Sequence, residues 1–397
     1  MEVPKPFEKK IIASPEDYEP LSDQFQVIGA FNSPLTTLET KKELEYLLMP
    51  RVAEIPIITL EQGTTYIPEK ARYLPYFEPP NKNVKTLEIK CDRIPEEDIL
   101  SEGKKEVELK GHHRLKHISL PRILRLDKNL NVIERQQKPA IYPEWEHERF
   151  GIEDVRITKL DEEIFDEIGY KYVLTYVTPH RSHRVSTSIA LTNDFKKFIK
   201  LPFGDTPRRV STGKDIAIFP NKCLTPHTPL SKELKKEWHY AGITRPEEQS
   251  SIAAPGLSLA YSPDLTAWWS SHDLNKFPLD GKTRGTGSPP VKIGNLWVMG
   301  FHEVTSKGSQ LKYDTKLMGL NFNNPWEIKH VSAVFLKRED FSDLIPERGY
   351  VEDVVYTIGF VEKDGMSLLS HGIGDFKTVL TQYYTEDLIK FLKESAD

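Results

Sequence analysis

The chain has 397 residues, with 54 Lys and Arg against 59 Asp and Glu, a formal net charge of −5 and 38% hydrophobic residues. That balance supplies apolar material for a sizeable core and excludes a disordered or coiled-coil chain. The slight acidity argues against general nucleic-acid binding, which needs a basic surface, and no run approaches the roughly 20 apolar residues of a membrane span.

Prolines outnumber glycines, 29 to 22, and are spread along the chain, so long helices should be scarce. Residues 40–48 carry too many charges for a convincing helix, and 231–236 is short. Strand-like runs, β-branched or aromatic and bounded by Gly, Pro, Asn or Asp, recur at Lys171–Val177, Asp215–Phe219, Leu257–Tyr261, Leu296–Phe301 and Val354–Phe360. The best helix comes last, over Thr385–Ser395, with Leu388, Ile389, Phe391 and Leu392 at helical spacing.

A repeat runs beneath these strands. Leu191–Phe198 and Ala260–Trp268 share a frame: a strand end, two polar residues, Asp, an apolar residue, then an aromatic three further on. Weaker copies begin at Leu124 and Leu320, and reading the frame at Asp127, Asp194, Asp264 and Asn324 gives separations of 67, 70 and 60 residues. Blades of a β-propeller repeat on that scale when loops are long, and the chain length suits five. Asx-turns joining strands of any β-rich fold read the same way. The expected fold class is all-β, a five-bladed β-propeller with a short C-terminal helix, as a single domain over 1–397 with an N-terminal extension of about 1–25 and a charged insertion of about 81–110. A propeller lets distant residues converge on one central funnel.

The densest chemistry lies at Phe150-Gly-Ile-Glu-Asp-Val-Arg-Ile-Thr158. On a strand, Glu153 faces away from Asp154, which suits a single general acid better than a paired-carboxylate device. A surface ion pair explains the same residues. Lys214-Asp215, at the mouth of an apolar strand, is either a ligand contact or a structural salt bridge, since an unpaired buried charge is expensive. Lys214, Arg245 and His302 together make a candidate basic pocket for an anion, with Tyr313 in the same set and Gly285-Thr-Gly-Ser-Pro-Pro290 able to bring backbone close to a bound group. Taken alone, His302 is a rim or core histidine, and the basic cluster His180–Arg184 is a solvated loop.

The ordered set Phe150–Thr158, Thr192–Phe195, Lys214–Pro220, Tyr261–Leu265, Gly285–Pro290, His302 and His371-Gly-Ile-Gly-Asp375 resembles glycoside hydrolase family 130, the β-mannoside phosphorylases and related mannosidases. The likeness runs from about Phe31 to Asp375. It implies a five-bladed propeller, and cleavage of β-mannosidic bonds with inversion by phosphate, releasing α-mannose 1-phosphate. It implies that Asp154 is the general acid, relayed through a mannose hydroxyl. It further implies Arg51, Lys214, Arg245, His302 and Tyr313 as phosphate ligands, and Asn32, Arg156, Asp215 and Asp375 as substrate ligands. Val155 stands where the family motif has proline, and a family phosphate-contacting arginine aligns near Ser186, with Arg184 as its substitute.

Phosphate arrives already nucleophilic and needs cations to hold it, whereas inverting hydrolysis needs a second carboxylate to activate water. The expected activity is therefore an inverting β-mannoside phosphorylase. The alternatives are an inverting β-mannosidase using Glu303 or Glu153 as base, and a noncatalytic carbohydrate-binding propeller. Expected partners are an oligosaccharide and inorganic phosphate as co-substrate, with no cofactor, nucleic acid or membrane, and with a homo-oligomer left open. Cys91 and Cys223 lie far apart without ligand-type spacing, so neither disulfide nor metal site is expected. The opening Met1-Glu-Val-Pro-Lys-Pro6 lacks a signal-peptide pattern, which points to a cytoplasmic setting.

Overall fold

The computed structural model describes residues 2–39, 43–59, 65–66, 73–78, 88–110, 112–179, 185–201, 213–224, 238–246, 256–274, 283–307, 310–347 and 349–395. The basic cluster at 180–184, with Arg184, and the short segment 231–236 lie outside them. The fold is all-β. Each strand-like run falls in a strand: Tyr172–Pro179, Gly213–Leu224, Ser258–Ser262, Leu296–Lys307 and Asp353–Lys363. Among the described residues there are two α-helices, Glu162–Ile168 and Thr385–Glu394.

The last helix forms as its spacing predicts. Leu388, Phe391 and Leu392 are buried in a cluster with Leu317, Phe335 and Tyr383, and each such burial is worth about 1.5–3 kcal/mol. The first helix was not anticipated; it ends where Gly169 adopts φ +75° and its N–H bonds Phe165 O at 2.7 Å, a left-handed stop that glycine takes without cost. Leu44–Leu48 is a strand rather than a helix, held between Leu35–Glu39 and Ile118–Leu126. Its buried Leu47 and Leu48 make tertiary pairing outweigh the local charges.

The strands pair almost wholly antiparallel, mostly as meanders of strands adjacent in sequence. One sheet runs Phe25–Phe31, Arg51–Pro56, Ile118–Leu126, Leu44–Leu48, Leu35–Glu39, with Val132–Pro139 also on Ile118–Leu126. A second is Glu153–Lys159, Tyr172–Pro179, Val185–Thr192, Ile199–Lys200, and a third is Gly213–Leu224, Trp238–Pro246, Ser258–Ser262, Trp269–Asp273. The remaining sheet joins two meanders through a short parallel pairing, Lys312 with Asp353 and Tyr313 with Val354. Near the N-terminus, Glu8–Ala13 completes that sheet by pairing with Lys377–Tyr384.

The repeated Asp is a turn at the edge of these sheets. Asp194 Oδ1 accepts the N–H groups of Lys196 and Lys197 at 2.9 and 3.1 Å, and Asp264 Oδ1 those of Thr266 and Ala267 at 2.9 and 3.1 Å. The residues that follow, Phe195 and Leu265, have φ of +57° and +66°. Asp127 does the same for Asn129 and Asn131. In the fourth copy the acceptor is Asn321, not Asn324, because the strand Gln310–Asn321 ends there and the turn must start at its last residue.

Away from the meanders, Tyr73–Glu78 pairs with Glu88–Arg93, and Ile99–Glu102, Glu106–Leu109 and His112–Leu115 form a three-stranded sheet. Leu74, Val107 and Leu109 give this arm a small core of its own. A cavity of about 650 Å³ is lined by residues 35–37, 157–162, Pro220, 289–292 and 360–362, so every meander sends a segment to it.

Candidate active site

Asp154 sits where the strand Glu153–Lys159 breaks its register with Tyr172–Pro179, between Glu153 and Arg156. Its φ is +48°, a left-handed conformation that Asp tolerates better than most residues. The break cancels strand alternation, so the expectation that Glu153 faces away from Asp154 is overturned. Both carboxylates reach Arg51: Nη1 donates to Asp154 Oδ1 at 3.0 Å and Nη2 to Glu153 Oε1 at 2.5 Å. Arg51 also donates from Nε to Ser119 Oγ at 3.1 Å, and Nη2 lies 3.0 Å from His117 Nε2. Asn32 Nδ2 adds a second bond to Asp154 Oδ1 at 2.8 Å.

Left-handed backbone recurs through the expected site residues. Asn32, Asp154, Asp215 and Asp375 have φ of +48°, +48°, +65° and +48°. Such strain persists where surrounding contacts over-determine it, and it clusters at functional sites.

Arg156 is fully buried and engaged throughout. Nε donates to Gly287 O at 2.8 Å, Nη1 to Asp154 O at 3.2 Å, and Nη2 contacts Thr286 O, Tyr356 Oη and Asp215 Oδ1 at 2.8, 2.6 and 3.1 Å. It ties Asp154, Asp215 and the 285–287 segment together. Tyr356, which the sequence reading missed, shares Asp215 Oδ1 at 3.2 Å; its signal is the inward alternation of Val354, Tyr356 and Ile358.

Lys214 and Arg245 are direct cross-strand partners. Like charges placed opposite each other on a sheet repel, and an anion between them removes that penalty. His302 pairs with Gly285 across the neighbouring strands. A Cβ at Gly285 would run into the His302 ring and come within 3.2 Å of Asp215 Oδ2, so only glycine fits. The His302 ring lies 4.7 Å from that of Tyr356 and 5.5 Å from that of Tyr313. Four buried side-chain atoms here have no hydrogen-bond partner among the described residues: Asn32 Oδ1, Asp215 Oδ2 and both His302 ring nitrogens. Buried polar atoms cost free energy unless bonded, so a set of them at one place marks a ligand site.

The electrostatics agree. Burial alone would raise the Asp154 carboxyl, but Arg51, the Asn32 amide, Arg156 and Lys214 bring it down to about 2. Asp215 is likewise lowered against burial by Arg156, Lys214, His302 and Arg245. Burial pushes His302 down to about 3, assisted by Arg245, Lys214 and Arg156 and opposed by Asp215, so its imidazole is neutral. Lys214 is lowered by burial and Arg245, with Asp215, Asp154 and Glu153 opposing. Tyr313 is pushed up to about 12 by burial while Arg245 pulls the other way. These mutual effects place Asp154, Lys214, Asp215, Arg245, His302 and Tyr313 within electrostatic range of one another.

Asp375 lies within electrostatic range of Arg51, whose charge it stabilises, and its carboxylate accepts from Lys105 of the three-stranded arm. All ten expected residues are thus gathered in one region. The two candidate second carboxylates are committed elsewhere: Glu153 to Arg51 with His117 3.6 Å away, and Glu303 to Arg284 and Lys316 at 2.7 and 3.3 Å. Sequence reasoning also missed His117, buried behind Arg51, for which no pattern gave a signal.

A family model described as beta-1,4-mannooligosaccharide phosphorylase, for glycoside hydrolase family 130, matches residues 113–394, more than half of the chain. The chain belongs to glycoside hydrolase family 130. Within this family it is similar to a beta-1,2-mannobiose phosphorylase of Listeria innocua serovar 6a, 26% identical over 381 residues, covering 93% of this chain and 92% of the relative. A 1,2-beta-oligomannan phosphorylase of Thermoanaerobacter is 24% identical over 255 residues, covering 61% of this chain and 71% of the relative. The solved Listeria innocua phosphorylase in complex with beta-1,2-mannobiose superposes with a TM-score of 0.70 at 22% identity, covering 96% of both chains. A family 130 structure from work on glycoside hydrolases that target beta-1,2 mannosidic linkages in Candida mannan gives 0.60 at 14% identity, covering 100% and 96%.

Proposed function

We propose that this family 130 chain is an inverting β-mannoside phosphorylase on a five-bladed β-propeller, and that β-1,2-linked mannobiose is the first substrate to test. The observation that carries the reading is the facing pair Lys214 and Arg245, with Lys214 within electrostatic range of Asp154. The propeller is supported by the five segments that meet at the 650 Å³ cavity and by the pairing of Glu8–Ala13 with Lys377–Tyr384. The linkage is supported by the names of the two relatives.

In this reaction a phosphate oxygen forms a bond to the anomeric carbon as the glycosidic C–O bond breaks. The departing oxygen takes a proton that originates on Asp154 and passes through a mannose hydroxyl, and α-mannose 1-phosphate and the shortened acceptor result. Lys214, Arg245, His302 and Tyr313 hold phosphate. Asn32, Asp215 and Asp375 hold sugar, while Arg51 and Arg156, expected as a phosphate and a substrate ligand, are occupied by protein partners and position Asp154 and Asp215. In the free protein Asp154 is ionised, so its proton arrives with the reactants. Phosphate adds negative charge nearby and the sugar excludes water, and both raise a carboxyl.

A mannosidase on the same fold needs a free carboxylate on the nucleophile side, and Glu153 and Glu303 are both neutralised by cations. The deciding experiment is the initial rate on β-1,2-, β-1,3- and β-1,4-mannobiose as phosphate is varied. Saturable dependence on phosphate for one linkage supports the proposal; equal rates with and without phosphate contradict it.

A further inference from the structure

Among the described residues, the arm reaches the site through the side chain of Lys105. Lys104 and Lys105 form the tip between the strands Ile99–Glu102 and Glu106–Leu109, closed by Gly103 N–H bonding Glu106 O at 2.9 Å. The tip is docked rather than free. Tyr350 Oη donates to Lys104 O at 2.9 Å, Lys104 Nζ lies 3.2 Å from Glu352 Oε1, and Lys116 N–H bonds Lys105 O at 2.9 Å. From there Lys105 Nζ donates to Asp375 Oδ2.

The two ends of this pair differ in environment. The Asp375 side chain is 6% exposed, that of Lys105 36%. Asp375 also sits within electrostatic range of Arg51, Tyr313 and Tyr350. An ammonium has three donors and no acceptor, so with one given to Asp375 two remain for a bound group. A carboxylate and an ammonium side by side, at the edge of a site that already holds an acid and two cations, offer an acceptor and donors together. That pairing matches a sugar diol, whose hydroxyls both give and take hydrogen bonds.

We propose that Lys105 is a sugar-positioning and specificity-determining residue: it seats Asp375 and donates to hydroxyls of the bound mannoside from outside the meanders. The arm thereby makes recognition of the sugar depend on a segment that carries none of the residues acting on the anomeric carbon. This rests on the phosphorylase reading above for its substrate class, and extends it to the inserted arm.

The test is steady-state kinetics of Lys105→Met, Lys105→Gln and Lys105→Arg, with Lys104→Ala as a control at the same tip. Loss of uniform binding raises KM for the mannoside about tenfold in the Met and Gln variants with kcat within about twofold, and leaves KM for phosphate unchanged. The Arg variant recovers most of the loss, and the Lys104 variant resembles the parent enzyme. A purely structural role for the lysine would move thermal stability without this split between KM and kcat. The proposal is overturned if mannoside KM stays within about twofold of the parent in both Met and Gln variants, or if phosphate KM rises instead. Should the parent enzyme release mannose without phosphate, the phosphorylase reading falls, yet the ratio of sugar KM values between variant and parent still decides the role of Lys105.

Discussion

Asp154 and Glu153 are neighbours in sequence, and both carboxylates end on one guanidinium, that of Arg51, at 3.0 and 2.5 Å. The register break and the left-handed backbone at Asp154 make this possible. Its consequence is a division of labour. Glu153 compensates Arg51, so Arg51 can hold Asp154 without being a lone buried charge, and Asp154 can lose its pairing when it takes up a proton.

Replacing Asp154 with Asn keeps the shape and the Asn32 contact but removes the proton source. Turnover should fall by about 10²–10⁴-fold, the usual contribution of a positioned acid. Mannoside affinity, read by calorimetry, should change little. A variant with near-normal turnover would place the acid elsewhere.

Removing Arg51 leaves Glu153 buried beside a neutral His117, whose pKa burial lowers. Breaking a buried pair in this way costs about 3–5 kcal/mol. Arg51→Met should therefore destabilise strongly in urea unfolding, and Arg51→Met combined with Glu153→Gln should recover part of the loss. Additive losses would show that the two do not compensate each other.

Lys214 and Arg245 repel across their strands in the free protein. Single substitution of either by Met should leave stability unchanged or raise it by about 0.2–1 kcal/mol, the scale of a cross-strand pair. The same variants should raise KM for phosphate at least about tenfold, as expected for a lost charge-assisted contact. Opposite signs for stability and phosphate use are the signature; a parallel loss of both would mean a structural role only.

Asp154 titrates in the folded protein at about 2, below its ordinary value of 3.8. A carboxyl lowered by folding contributes stability above its unfolded value and loses it as pH falls toward the folded one. Unfolding measured from pH 5 down to pH 2 should show the parent losing more stability than Asp154→Asn between about pH 4 and pH 2. Identical slopes would show that the Arg51 and Asn32 contacts do not hold the carboxylate.

Much of the fold was legible because strand signals are local. Val354–Phe360 and Leu296–Phe301 carry β-branched and aromatic residues between turn formers, and the Asp turns after Leu191 and Ala260 need only a side chain that bonds its own backbone. The helix Glu162–Ile168 is one charged segment with a single fully buried side chain, Ile164, too little for a periodic pattern. At the site, the resemblance gathered Asn32, Arg51, Asp154 and Asp375, which lie up to 343 residues apart. Strand alternation misled at Glu153, because a register break leaves no mark in composition. His117 and Lys105 touch Arg51 and Asp375, and only tertiary packing reveals them, whereas Tyr356 is marked by the alternation of its strand but its partners Arg156 and Asp215 are not.

The central claim, that cations rather than a second carboxylate prepare the nucleophile, is tested most directly by following ³¹P and ¹H spectra of the enzyme with β-1,2-mannobiose and phosphate. The account predicts that inorganic phosphate is consumed in step with the disaccharide and that the first product is the α anomer of mannose 1-phosphate. Mannose accumulating while the phosphate signal stays constant would contradict it.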